Sequence, residues 1–246
     1  MRRIIPSIYI SDSLDFLNER KKVLDYSEGL ELAMKYASEG ADEVILMDLS
    51  SANDRGRNVS RFIKDAAKNL TIPFAYGGGV HTVKDVEELL ELGVPRVYVN
   101  SAAVRNPELI NKITSKNGKQ ALLVAIDTRK TFGKWKVYLN GGKSRTEMDL
   151  LNWIKMSELR GAGELLISAI KRTNDTQDNI FDLFREIIDT SEIPIIASIG
   201  VSSLEDFRGI FSVDGLSGVV TAHYFADGTN KIMDVKNYLG QAFHEF

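Results

Sequence analysis

The 246-residue chain has no cysteine, which excludes disulfides, thiolate nucleophiles and cysteine metal sites but assigns no compartment. Histidine is almost as scarce: His81, His223 and His244 stand at separations that match no metal-ligand spacing, so neither a metal nor another cofactor is expected. No apolar run is long enough to span a bilayer, and the opening Met1-Arg2-Arg3-Ile4-Ile5-Pro6-Ser7 is too short in apolar residues for a secretory leader. Neither charge sign is in excess. With 31 basic residues against 34 acidic and a net charge of −3, general attraction to nucleic acid or to an anionic membrane is not expected. The expectation is a soluble cytoplasmic protein in which any anionic ligand is held by local geometry.

What the chain does have is a regular alternation. Short apolar, β-branched runs occur at Ile4–Ile10, Glu43–Asp48, Ile72–Tyr76, Arg96–Asn100, Ala121–Asp127, Glu164–Ser168, Ile193–Ser198 and Gly218–Ala222. Between them lie segments with apolar residues at helical spacing, such as Val83, Val86, Leu89 and Leu90. Eight such units at this chain length predict one closed α/β domain over residues 1–246, a (β/α)8 TIM barrel, rather than an open sheet.

The two halves, roughly residues 1–120 and 121–246, repeat at an offset of 121. Gly40-Ala41-Asp42-Glu43-Val44-Ile45-Leu46 aligns with Gly161-Ala162-Gly163-Glu164-Leu165-Leu166-Ile167, and Ile72-Pro73-Phe74-Ala75 with Ile193-Pro194-Ile195-Ile196. Thr82, Val83, Asp85 and Val86 then meet Ser203, Leu204, Asp206 and Phe207, each pair of starts resembling a capping box. The expected architecture is two duplicated half-barrels.

The sharpest local signal is Tyr76-Gly77-Gly78-Gly79-Val80 followed by Asn100-Ser101-Ala102-Ala103-Val104. Gly79 and Ser101 are 22 residues apart, as are Gly200 and Ala222 in the second half. Glycines after one strand and small residues opening a helix after the next can cradle a phosphate with backbone N–H groups, so Gly78, Gly79, Asn100 and Ser101 form one candidate pocket. Gly200, Ala222 and His223 form a second, less glycine-rich one. The alternative for both is a tight turn without a ligand. Asp127, at the end of an apolar run, stands where catalytic groups of this fold sit and is the candidate acid/base; the alternative is a turn acceptor. Asp48 ends its strand similarly and either assists or caps the next loop. His81 is placed to cover the first pocket. Arg129, Lys130, Lys134 and Lys136 make the fifth strand–helix connection basic, as solvated loops often are. Arg3, Glu43, Arg96 and Glu164 stand at strand starts and can close a ring of ion pairs across the barrel floor.

Arg3-Ile4-Ile5, Ala75-Tyr76-Gly77-Gly78-Gly79-Val80, Asn100-Ser101-Ala102-Ala103-Val104, Val124-Ala125-Ile126-Asp127 and Arg160-Gly161-Ala162-Gly163-Glu164, in that order, resemble the cyclase subunit of imidazole glycerol phosphate synthase from about residue 2 to residue 240. The resemblance implies a lyase-type barrel that takes ammonia from a glutaminase docked on its N-terminal face. It also implies a substrate with two phosphates, one per half-barrel, and two catalytic aspartates, of which Asp127 matches the second. Arg3, Glu43, Arg96 and Glu164 match that family's charged ammonia gate, with Arg96 where lysine is usual.

Several positions depart from the pattern. Tyr9 occupies the place of the strand-one aspartate, and a phenol with an ordinary pKa of about 10 cannot act as a base at neutral pH without a large shift. Leu17 stands near the flexible-loop lysine. Lys171-Arg172-Thr173-Asn174-Asp175-Thr176 replaces an acidic run, Ile199 a glycine of the second phosphate loop, and Pro95 an acidic residue facing the glutaminase. With Tyr9, Asp48 and Ser168 as further active-site candidates, three functions are compatible with these residues. The first is a diverged paralogue serving amidation of a nucleotide sugar. The second is the histidine-biosynthesis cyclase, with Asp12 or Tyr9 replacing the missing carboxylate. The third is a scaffold or ammonia conduit without chemistry of its own.

Overall fold

The computed structural model describes residues 2–12, 23–50, 57–170 and 177–243. The mostly buried segments β1 (Arg3–Ile10), β3 (Val44–Asp48), β4 (Phe74–Gly77), β5 (Arg96–Val99), β6 (Leu122–Thr131), β9 (Leu165–Ala169), β10 (Ile195–Ser198) and β11 (Leu216–Thr221) pair in parallel in that order, and β11 returns to β1. The result is a closed eight-stranded (β/α)8 barrel, as the alternation predicts. Helices α1 (Tyr26–Ser38), α2 (Arg57–Asn69), α3 (Val83–Glu91), α4 (Ser101–Arg105), α5 (Glu108–Asn117), α6 (Leu150–Leu159), α7 (Gln177–Thr190), α8 (Leu204–Phe211) and α9 (Ile232–Phe243) surround it. A short β2 (Val23–Leu24) pairs with the end of β1.

Strand alternation divides the core in two. Ile5, Ile45, Ala75, Tyr98, Leu123, Ala125, Leu166, Ile196 and Val220 fill the barrel interior. Ile4, Ile8, Val44, Leu46, Tyr76 and Val97 face outward and meet helix residues such as Phe62, Trp153, Phe184 and Phe207. α2 shows the matching pattern, burying Val59, Phe62, Ile63 and Ala66 along one stripe. At the two helix starts aligned by the repeat, Thr82 with Asp85 and Ser203 with Asp206 both form reciprocal capping boxes.

The fifth connection differs from the solvated loop expected of its basic residues. β6 runs on beyond the barrel to Thr131, turns through Phe132-Gly133, and pairs antiparallel with β7 (Lys134–Leu139), which pairs in turn with β8 (Ser144–Asp149). Phe132 and Gly133 have φ of 49° and 79°, the two left-handed residues of a two-residue hairpin turn. Arg129 lies over the Tyr138 ring, 5.0 Å from its centroid, so this basic segment is a built arm.

At the opposite end, the four strand-start charges close a ring. Arg3 donates to Glu43 at 2.7 Å and to Glu164; Arg96 donates to Glu43 at 3.1 Å and to Glu164. Each carboxylate thus lies between two guanidinium groups. An irregularity in the β10–β11 register at the start of β11 brings Ser217 into the same network, its hydroxyl 3.0 Å from Glu164 and 3.2 Å from Arg3. Burial is the largest influence on Arg96 and pulls its pKa down, against the opposing pull of Glu43.

Removing one carboxylate leaves two guanidinium groups short of a buried partner. Glu164→Gln is therefore expected to lower unfolding stability by roughly 3 kcal/mol in urea denaturation; a change within experimental error would show the ring to be energetically idle. A second expectation concerns alkaline pH. Burial, reinforced by Glu39 and Asp227, pushes the Tyr36 hydroxyl up to about 12. Because the folded-state pKa lies above the unfolded one, near 10, stability falls as pH rises through that interval. Tyr36→Phe is expected to flatten the decline measured between pH 9.5 and 11.5.

Candidate active site

At the C-terminal ends of the strands a cavity of about 590 Å³ opens. Alternation carries Tyr9 of β1, Met47 of β3, Tyr98 and Asn100 on and just after β5, Asp127 of β6 and Ser168 of β9 to its wall. Asp127 is buried and lies in register between Ser168 of β9 and Tyr138 of β7. Tyr98 is the unforeseen member. It sits one inward-facing position above Arg96, and a side chain at Gly77 on the neighbouring strand would stand 2.6 Å from its ring. Burial drives the Tyr98 hydroxyl far above its ordinary pKa, with Asp127 and Tyr9 adding to the effect and an Asn100 hydrogen bond opposing it. The phenol is accordingly neutral at physiological pH, a hydrogen-bond donor and not a base. Asn100 also has a buried Oδ1 without a hydrogen-bond partner, an acceptor open to a ligand.

The first glycine turn lies on the same wall. Gly78 has φ of 128°, and a Cβ there would fall 1.9 Å from the Asp48 carbonyl oxygen; Gly79 has φ of 54°. Both line the cavity with Ser101, and no side chain caps the helix that Ser101 begins. The amides of His81 and Thr82, by contrast, are taken by Asp85 at 2.7 and 2.9 Å, and exposed His81 lines the rim.

The second candidate pocket is built differently. Gly200 is exposed, has no left-handed φ, and would meet nothing if it carried a Cβ. The Ile199 side chain is buried in the outer core, and Asp206 occupies the amides of Ser202 and Ser203. Ala222 and exposed His223 line a crevice of only about 20 Å³ beside Tyr9, apart from the mouth cavity. Gly200, Ala222 and His223 are therefore not brought together with Gly78, Gly79, Asn100, Ser101 and Asp127.

Asp48 reaches the cavity wall, but its carboxylate is engaged on the outer side. It accepts the hydroxyls of Tyr26, at 3.0 Å, and Tyr76, together with the Ser50 amide at 2.8 Å. Of the two roles open to it, this is the structural one. Asp12 is exposed, accepts from Asn58 at 3.1 Å and does not line the cavity. Leu17, the Lys171–Thr176 run and His244 lie outside the described residues. Among the described residues no cluster of three or more His, Asp or Glu side chains is arranged to hold a metal, and no helix is long and apolar enough to cross a membrane. Arg105, Asn140 and Gly141 line the cavity without having been singled out in the sequence.

The contrast between the two glycines is measurable. Gly78→Ala is expected to cost at least about 2 kcal/mol, from backbone strain and collision with Asp48. Gly200→Ala is expected to stay within about 0.5 kcal/mol of the parent in the same denaturation assay. Equal effects would contradict the asymmetry.

Comparison with known proteins agrees with this architecture. A family described as histidine biosynthesis protein matches residues 3–231. The imidazole glycerol phosphate synthase subunit HisF of Natranaerobius thermophilus is 38% identical over 242 residues, spanning 98% of this chain and 96% of that one. The subunit of the same name from Parabacteroides distasonis is 36% identical over 243 residues, 97% and 95% of the two chains. That of Saccharolobus solfataricus is 36% identical over 245 residues, 98% and 96%. The chain thus belongs to the histidine biosynthesis protein family and, within it, to the cyclase-subunit branch represented by imidazole glycerol phosphate synthase subunit HisF.

Proposed function

We propose that this barrel is the ammonia-using subunit of a two-component glutamine amidotransferase. A glutaminase docks on its N-terminal face, and a phosphorylated substrate lies in the mouth with its phosphate on Gly78, Gly79, Asn100 and Ser101. Asp127 transfers protons, with Tyr9, Tyr98 and Ser168 around the reacting group. The ring of Arg3, Glu43, Arg96 and Glu164 is the entry for ammonia. Supporting the docking face is a depression of about 640 Å³ that joins this ring to Pro73, Phe74, Pro95, Lys119, Gln120 and Pro194. The two half-barrels, residues 1–120 and 121–246, descend in this proposal from one duplicated unit, of which only the first keeps a full anion loop.

The reaction proposed is the amidation of a nucleotide sugar, separate from the ring closure of histidine biosynthesis. The observation that carries this is the make-up of the mouth's wall, where Tyr9 stands at the end of the first strand and no carboxylate does. Among the described residues lining the mouth the carboxylates are Asp48 and Asp127, and Asp48 accepts on its outer side from Tyr26, Tyr76 and the Ser50 amide, so the acid/base role is assigned to Asp127. The Tyr98 phenol, kept neutral by burial, supplies a donor but not the base that a two-carboxylate mechanism needs. A second possibility, imidazole glycerol phosphate synthase activity in histidine biosynthesis, is favoured by end-to-end identity of 36–38% with subunits of that name.

Two measurements separate these. Expression in a cyclase-deficient, histidine-requiring bacterium is expected to give no growth despite soluble protein; growth that Asp127→Asn abolishes would establish the second function instead. In reconstitution with glutaminases encoded beside it, the chain is expected to stimulate glutamine hydrolysis. Asp127→Asn is then expected to lower amidated product by about 100-fold or more while the complex still assembles. Unaltered product formation in that variant would reduce the barrel to a conduit.

A further inference from the structure

The outer wall of the mouth cavity is made by the arm. Asn140, Gly141 and Gly142 follow β7 with φ of 56°, 64° and 81°, a left-handed run that turns the arm's tip back toward the barrel. Lys143 N–H closes the turn onto the Leu139 carbonyl at 3.1 Å, and the Asn140 side-chain amide donates to Ser144 Oγ at 3.1 Å. Two bonds then tie the tip to α4. The Asn140 amide N–H donates to Ser101 Oγ at 2.9 Å, and Arg105 Nη2 donates to Asn140 Oδ1 at 2.8 Å.

These bonds have a chemical consequence for the cavity. Ser101 Oγ accepts from Asn140, which leaves its own hydrogen to donate elsewhere. Arg105 lies four residues after Ser101, on the same helix face, so its guanidinium is brought beside that hydroxyl. Only one of its five N–H donors is used by the bond to Asn140. Arg105 forms no ion pair with a described carboxylate, and it is the single Lys or Arg among the residues lining the cavity. A full positive charge with free donors thus stands beside the glycine turn and Ser101.

We propose that Arg105 is a specificity-determining ligand-binding residue: its guanidinium, held by Asn140, closes the outer side of the Gly79–Ser101 pocket and selects a phosphate monoester over singly charged anions. The inference rests on the mouth being a phosphate site, as proposed above. Backbone N–H groups and a hydroxyl offer partial charges. A guanidinium adds a whole charge and a planar fork matched to two phosphate oxygens, and both gain most from a group carrying close to two negative charges. Asn140 is the positioning residue, setting where the fork points.

The test is calorimetric titration of the full-length protein near pH 7.5 with inorganic phosphate and, separately, with dimethyl phosphate, which carries one charge. Wild type is expected to prefer inorganic phosphate. Arg105→Ala, an exposed position whose melting temperature serves as control, is expected to weaken phosphate binding by about 10-fold or more and to leave dimethyl phosphate nearly unchanged. Arg105→Lys is expected to recover only part of the loss. Asn140→Asp, which can still accept from Arg105 but cancels its charge, is expected to abolish the preference; a merely structural asparagine would tolerate that change. Full phosphate affinity in a folded Arg105→Ala overturns the inference and leaves the pocket standing. Absence of phosphate binding in wild type overturns the pocket itself.

Discussion

Placing four charges inside the N-terminal end of a barrel constrains far more than that end. Successive side chains of a strand point to opposite faces, so seating Arg3, Glu43, Arg96 and Glu164 in the lumen determines the direction of later residues on the strands they begin. Arg3 commits Ile5 and Tyr9 to the interior; Glu43 commits Ile45 and Met47; Arg96 commits Tyr98 and Asn100; Glu164 commits Leu166 and Ser168. These residues supply Ile5, Ile45, Tyr98 and Leu166 to the interior core and Tyr9, Tyr98, Asn100 and Ser168 to the mouth's polar wall. The charges are tolerable there because each guanidinium faces two carboxylates and each carboxylate two guanidiniums.

The same alternation accounts for Asp48. With Glu43 inward, Asp48 must point outward, into the layer between barrel and helices, where an unpaired carboxylate is costly. Two tyrosine hydroxyls and the Ser50 amide meet it there. Ser50 Oγ in turn accepts the Asp12 amide at 3.0 Å, tying the end of β1 to the end of β3. The Asp48 carbonyl then leaves no room for a side chain at Gly78. A buried carboxylate outside the lumen thereby fixes the backbone from which the first glycine turn is made.

Much of this was legible in the sequence. Buried parallel strands are apolar on both faces, so all eight stood out as short β-branched runs, and the repeat aligned both capping boxes. Asp48 was ambiguous because a carboxylate at a strand end looks alike on either face; the parity set by Glu43, read along the strand, would have resolved it. Tyr98 passed as core, since an aromatic in an apolar run does not announce that its hydroxyl reaches a cavity. The arm was obscured by its lysines, although Trp135, Val137 and Leu139 alternate with Lys134, Lys136 and Tyr138, and Phe132-Gly133 makes the two-residue turn between strands. Arg105 and Asn140 had no local signature at all. They meet across 35 positions only because the arm folds back on α4.

The likeness of the two half-barrels makes their difference at the mouth informative. Both keep the capping box and the spacing from glycine to small residue, but Gly79 has a left-handed φ of 54° and Gly200 does not. What comes to rest against each differs as well. The first turn is pressed by Asp48 from beneath and flanked by the arm, with Arg105 at the rim; the second lies open, and Ile199 turns its side chain into the core. Asp127 lines the same cavity, buried beside a phenol that burial keeps protonated. A ligand with one phosphate, bound as proposed above, places that group on the first glycine turn beside Arg105 and its other end toward Asp127. On the proposed assignment, orientation thus comes from one built anion site and an internal carboxylate, without a matching site in the second half.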